Sequence, residues 1–277
     1  MRLCLIGIIC FLFFGCVNSF AEMVPGHSWG IGTELSHIKY EEPGIMEEEG
    51  LMYGMVGFYT YRGGIEVTSV EYPQLDQYIF KVDGRLSLGQ VDYKNSGQID
   101  SIDDFIMELR GLGGLGFSIC ERIIISPYVG IGYRYLNDDM GGEVSTTGAQ
   151  GYERESNYLY SPIGIEGELD LDNNWSVGAT AEYDLFWFGK QISHLSNINP
   201  GFNDPENRQH KGFGLRGALR VKKKGEKIDF IFEPFIRFWK IKTSQEADWT
   251  YLGAKIGITT EPKNKSTEYG AKFAIKF

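Results

Sequence analysis

"EYGAKFAIKF" occupies residues 268–277. Counting back by twos gives Phe277, Ile275, Phe273, Ala271 and Tyr269, all apolar or aromatic. Between them stand Lys276, Ala274, Lys272, Gly270 and Glu268. Side chains alternate across a β-strand, so a period of two gives this segment one oily face and one polar face. The pattern recurs up the chain. In "YIFKVDGRLSLG" (78–89), Tyr78, Phe80, Val82, Leu86 and Leu88 oppose Lys81, Asp83, Arg85 and Ser87. In "FIMELRGLGGLGFSI" (105–119), Glu108 and Arg110 lie opposite Met107, Leu109 and Leu115, with Ile106 and Leu112 as exceptions. Segments 175–188, 212–222 and 228–239 repeat it, placing Glu182, Arg216, Arg220, Glu233 and Arg237 on polar faces. Noisier copies cover 28–40, 51–62, 123–136 and 158–169, the last with Glu166 on its polar face. No stretch beyond the N-terminus keeps a helical spacing of apolar residues for three turns.

About ten strands result, each near the length that crosses a bilayer at a tilt. Short connections (120–122, 170–174, 223–227) alternate with long polar ones (41–50, 95–104, 137–156, 194–211, 243–266). That is expected when turns lie on one side of a membrane and free loops on the other. Segment 63–77 is long where a turn is expected and has room for an additional strand. Both ends on one side require an even count, so ten is expected, with eight or twelve as alternatives.

The 277 residues are 42% hydrophobic, 14% aromatic and 23% charged, with 36 glycines. Mean hydropathy is −0.23, a value a membrane barrel shares with soluble proteins because it alternates its apolar surface. "LCLIGIICFLFFG" (3–15) follows Arg2 and is too short to span a bilayer as a helix. With "SFA" at 19–21 it reads as a cleaved signal peptide, residues 1–21, before a barrel domain of 22–277. Lipoprotein processing at Cys16 is the alternative. Cleavage removes Arg2, taking the net charge from −10 to −11, which argues against a nucleic-acid partner. It leaves Cys120 as the one cysteine, so no disulfide is expected in the mature chain.

A soluble sandwich also alternates, but it has no reason to sort its aromatics. Here Trp29, Tyr61, Tyr78, Phe117, Trp175, Phe230 and Phe277 fall near the short-turn side. Tyr133, Tyr135, Trp187, Phe213, Phe238 and Tyr269 fall near the long-loop side, with aliphatic residues and glycine between. Two aromatic belts around an aliphatic band are the interface pattern of a membrane barrel. The expected fold is therefore all-β: one closed antiparallel transmembrane barrel. Its narrow lumen is lined by Lys81, Asp83, Arg85, Glu108, Arg110, Glu166, Glu182, Arg216, Arg220, Glu233 and Arg237.

The ending "YGAKFAIKF" resembles the C-terminal signature of bacterial outer membrane β-barrel proteins, the broad porin and OmpA-like class. "SPYVGIGYRYL" and "EPFIRFW" resemble barrels of unassigned function in that class. The resemblance implies a Gram-negative outer membrane, with lipid and lipopolysaccharide as surroundings. It also implies that Tyr269, Phe273, Ile275 and Phe277 are read by the barrel-assembly machinery. It supplies no active site, and oligomeric state stays open.

Three motifs compete with this reading. "GLGGLG" (111–116) matches a dinucleotide fingerprint, but a strand follows it where a helix is required. "SHLSN" (193–197) resembles the His-x-Ser of outer membrane lipid A deacylases, with His194 activating Ser196 and Glu206 as candidate orienting acid. Continuing the alternation of 175–187 turns both toward the lumen unless a bulge near Gly189 reverses it. Ten-stranded outer membrane proteases use Asp–His and Asp–Asp pairs at the barrel mouth, and the chain has no Asp-x-His. No His/Cys spacing suits a metal. The expectation is a minor channel or structural and interaction protein without enzymatic activity, cofactor or metal. The alternative is a lipid A-modifying enzyme.

Overall fold

Alternating faces close here into a cylinder. The structure is a computed structural model that describes residues 26–66, 72–95 and 97–277. The expected signal segment, 1–21, lies outside the described residues. Thirteen strands follow in chain order: β1 (Gly26–Glu42), β2 (Met46–Gly64), β3 (Gln74–Asn95), β4 (Gly97–Cys120), β5 (Ile123–Asp139), β6 (Glu153–Asp170), β7 (Trp175–Ser193), β8 (Glu206–Gln209), β9 (Gly212–Lys223), β10 (Asp229–Ile241), β11 (Ala247–Tyr251), β12 (Ala254–Thr259) and β13 (Asn264–Lys276). Ten of them, all but β8, β11 and β12, form one closed antiparallel barrel. The seam joins β1 to β13, from Gly30 opposite Lys276 to Glu41 opposite Lys265. Closure pairs the edge groups of every barrel strand, which a lipid environment demands.

The oily stripes face outward. Leu88 and Leu219 are 63% and 62% exposed, while Glu34 and Glu108, on the opposite faces, are 3% and 4% exposed. In water so much exposed apolar surface would be a liability; in a bilayer it is the contact surface. Aromatic contacts occur toward both ends: Trp29 stacks on Phe277 at 4.3 Å at the short-turn end, and Phe213 meets Phe238 at 6.1 Å toward the loop side. The turn between β6 and β7 holds Asn173 and Asn174 at φ of 60° and 63°, a left-handed conformation that asparagine tolerates.

The long-connection side differs from expectation. Segments 41–50 and 95–104 are mostly strand, capped by tight reversals after Glu42 and Asn95. β3 and β4 run 22 and 24 residues, where about 9–11 suffice to cross a bilayer. The barrel wall therefore projects beyond the lipid band on that side. Inside this projection the lining turns apolar: Ile38, Met52, Val91, Ile99, Ile102, Ile106, Leu136 and Met140 form a buried core. Ile106 and Leu112, the misfits of the 105–119 stripe, point inward. The interior is thus charged only in part.

Two further points concern the connections. Segment 243–266 is not plain loop; it contains the β11–β12 hairpin. No additional strand occurs among the described residues of 63–77, where β2 ends at Gly64 and β3 begins at Gln74.

Candidate functional site

Inward-facing charges from around the barrel meet in the lumen. Neighbouring strands first set like against unlike: the register puts Asp83 opposite Arg110, Arg85 opposite Glu108 and Glu182 opposite Arg216. Long arginines then reach across. Arg85 donates to Glu108 at 3.1 Å, to Glu34 at 2.9 Å and to Glu268 at 2.7 and 2.9 Å. Arg216 donates to Glu108 at 2.9 Å and to Asp184 at 2.7 Å. Arg237 donates to both oxygens of Glu34 and to Glu268. Arg110 joins Asp83 at 2.8 Å to Glu182 at 2.8 Å. A charge held away from water is costly unless partnered, and planar guanidinium groups can serve several carboxylates at once. The result is a continuous ionic layer across the barrel.

Toward the loop side an aromatic layer lies against it. Tyr158, Tyr160, Phe186, Trp239 and Ile241 form a buried cluster. The Tyr160 hydroxyl donates to Glu108 at 2.6 Å, tying the two layers together. Gly132 makes room for this ring: a Cβ there would sit 2.3 Å from it. Toward the short-turn side the lumen opens into a cavity of about 190 Å³, bordered by Arg62, Lys81, Glu166, Arg220, Glu233 and Lys272 among others. Arg220 bridges Glu166 and Glu233 there, Lys272 also binds Glu233, and Lys81 lies 3.7 Å from Asp83.

The eleven charges named from the sequence all border this cavity. Four of their partners were not among those eleven: Glu34, Asp184, Glu268 and Lys272. Glu268 and Lys272 are the polar residues of the final strand, whose apolar half drew attention instead. On that half, Tyr269 and Phe273 are exposed on the outer wall. Phe277 exchanges backbone hydrogen bonds with Trp29.

A second constellation lies at the loop-side rim. β6 and β7 are mispaired by one residue at Trp187, which has no partner between Phe186 and Phe188. Before it, even-numbered residues of β7 point inward; after it, Gly189, Gln191 and Ser193 do. This bulge turns the chain so that His194 emerges on the outer side. Its Nε2 lies 2.9 Å from Glu155 and its Nδ1 lies 3.4 Å from Asp204. Partial burial opposes a charge on this imidazole, but Glu155, Glu153 and Asp204 outweigh it and raise its pKa. Ser196 donates its hydroxyl to Asp204 at 3.1 Å, not to His194. Glu206 pairs with Lys190 at 3.3 Å, away from the histidine. The alternative Ser196–His194–Glu206 relay is thus not assembled here, and Asp204 stands beside the histidine where Glu206 was the candidate.

Nearby on the rim, the Tyr40 hydroxyl donates to Glu42 at 3.1 Å and to Glu261 at 3.3 Å. Glu261 belongs to the connection between β12 and β13. Burial, with the Glu42 carboxylate beside it, pushes Glu261 up to about 8 despite the nearby Arg154.

No family model matches the chain, and no curated protein matches it. Among solved structures, the outer membrane protease OmpT from Escherichia coli superposes with a TM-score of 0.64 at 8% identity. The match covers 94% of this chain and 98% of that one. The translocator domain of the autotransporter NalP from Neisseria meningitidis gives 0.40 at 10% identity, over 92% and 90% of the two chains. The Ralstonia pickettii toluene transporter TbuX gives 0.37 at 9%, over 92% and 90%. The chain has the outer membrane β-barrel fold. One expectation is overturned here. The architecture this chain shares over nearly its whole length is that of a protease, so the fold supplies no ground for calling it a non-enzyme. At 8% identity the likeness is one of fold.

Proposed function

We propose that this outer membrane barrel passes no solute and works through its loop-side face. The ionic layer built on Arg85, Arg216 and Arg237 carries the reading. Each of these guanidinium groups binds carboxylates on at least two other strands, and the aromatic layer backs it. A permeating ion would have to displace several buried pairs at once, each costly to break.

The loop-side face supports the second half of the proposal. The β11–β12 hairpin presents Leu252 at 78% exposure, with Ile256 and Ile258 also exposed. Outer-leaflet lipid and lipopolysaccharide surround the barrel in this reading. The assembly machinery reads the final strand through Tyr269, Phe273, Ile275 and Phe277.

Planar-bilayer recording of the refolded full chain tests the closed lumen. No discrete current steps are expected under moderate voltage. Reproducible single-channel steps would remove the reading and return the chain to the class of channels.

A further inference from the structure

The lumen and the outer rim differ in how they balance charge. Inside, the principal carboxylates meet arginine or lysine. At the rim, Glu153 and Glu155 flank inward-pointing Arg154 at the start of β6, so both face outward with His194 between β7 and β8 beside them. One donor atom from each of the three lies within 4.8 Å of the others. Among the described residues no lysine or arginine pairs with Glu153, Glu155 or Asp204; the one cationic group is the imidazole. The strand register adds to the excess. Asp139 stands directly opposite Glu153, and Asp103 directly opposite Asp139. Like charges facing each other on adjacent strands are destabilising, and among the described residues no lysine or arginine forms an ion pair with Asp103, Asp139 or Glu153.

The donors are also oriented. Asn137 donates to Glu153 at 2.7 Å. Asp204 lies against Nδ1 of His194 and is itself held by the Ser196 amide at 2.9 Å and hydroxyl at 3.1 Å. A carboxylate on the far nitrogen of a metal-binding histidine fixes its tautomer and leaves the other nitrogen's lone pair free to coordinate. The group sits on the outer wall beyond Tyr133, Leu159 and Trp187, which are exposed on that wall, and its three side chains are half-buried. One imidazole and two carboxylates form a mixed nitrogen and oxygen set. It suits zinc-class ions, whereas calcium favours six to eight oxygens.

We propose that Glu153, Glu155 and His194 form a surface site for a divalent transition-metal ion of the zinc class. His194 Nε2 and one oxygen from each glutamate are the ligands, and a further position faces solvent. Asp204 is a positioning residue. The ion neutralises the carboxylate excess at the rim and joins the start of β6 to the connection after β7.

The test uses the untagged full chain, refolded in detergent micelles, with folding checked by the mobility difference between unboiled and boiled samples. Calorimetric titration with zinc chloride should show one ion per chain, with calcium chloride and magnesium chloride failing to compete. His194→Ala and Glu155→Gln should abolish the event. Asp204→Asn should weaken it by about 10–100-fold. Zinc should also raise the thermal midpoint of the wild type and leave that of His194→Ala unchanged. No stoichiometric zinc binding, undiminished binding in His194→Ala, or a preference for calcium would each overturn the proposal. If His194→Ala does not fold, the Glu153→Gln/Glu155→Gln pair reads the same outcomes.

Discussion

Arg85 shows how much rests on single side chains. It is buried and bonded to Glu34, Glu108 and Glu268 on three different strands. Removing it leaves three carboxylates with fewer partners in a water-poor interior. Arg85→Ala is expected to lower barrel stability by about 3–5 kcal/mol, the cost of breaking a buried pair. Urea unfolding in lipid vesicles, followed by tryptophan fluorescence, reads this; a change within error would contradict the account. Glu261 offers a pH-dependent counterpart. Its folded pKa of about 8 lies above the usual carboxylate value, so the folded state holds the proton more tightly. Its contribution to stability is complete below about pH 4.5 and is lost as pH rises through about 8. The connection between β12 and β13 should loosen over that window, giving lower amide protection factors around Glu261 once the intrinsic pH dependence of exchange is divided out. Glu261→Gln should flatten that dependence, and equal protection factors at pH 6 and pH 9 in the wild type would count against it.

Strands were the most legible elements, because the alternation of lipid-facing and inward residues is written directly into β3, β4, β7, β9, β10 and β13. Their ends were not legible. The acidic runs at 41–50 and 95–104 look like loops because the wall there stands in water, where an outward face is as polar as any loop. Ile106 and Leu112 broke the stripe for a related reason: the lining changes from ionic to apolar within one strand. The bulge stood in the sequence only as an alternative near Gly189, since one extra residue changes no composition; the structure puts it at Trp187. It decides which way His194 points, so the rim site could not be placed from spacing along the chain; Glu155 and His194 are 39 residues apart. The final strand supports a prediction of its own. Deleting Phe277 removes its stacking on Trp29 and its two backbone hydrogen bonds to that residue. A lower folded fraction during membrane assembly is expected, measured by the unboiled mobility shift. Trp29→Ala should reproduce part of the loss while leaving the C-terminal residue in place, and full assembly of both variants would contradict this role.

At the scale of the whole molecule, membrane residence and closure followed from composition sorted by position, while contents of the lumen followed only in kind. The sequence pattern told that charges of both signs line it. It did not tell which arginine crosses to which glutamate, because those pairs depend on how the cylinder curls. The seam has a particular place in that curl. Glu34 comes from the first barrel strand and Glu268 from the last, and Arg85 and Arg237 each grip both. The grip exists only once the two ends of the chain have met. Parting β1 from β13 afterwards would break Arg85 from Glu268 and Arg237 from Glu34. A cylinder latched in this way has no sideways door at its seam: with the lumen closed as proposed, a molecule that entered the short-turn cavity would leave by the mouth through which it came.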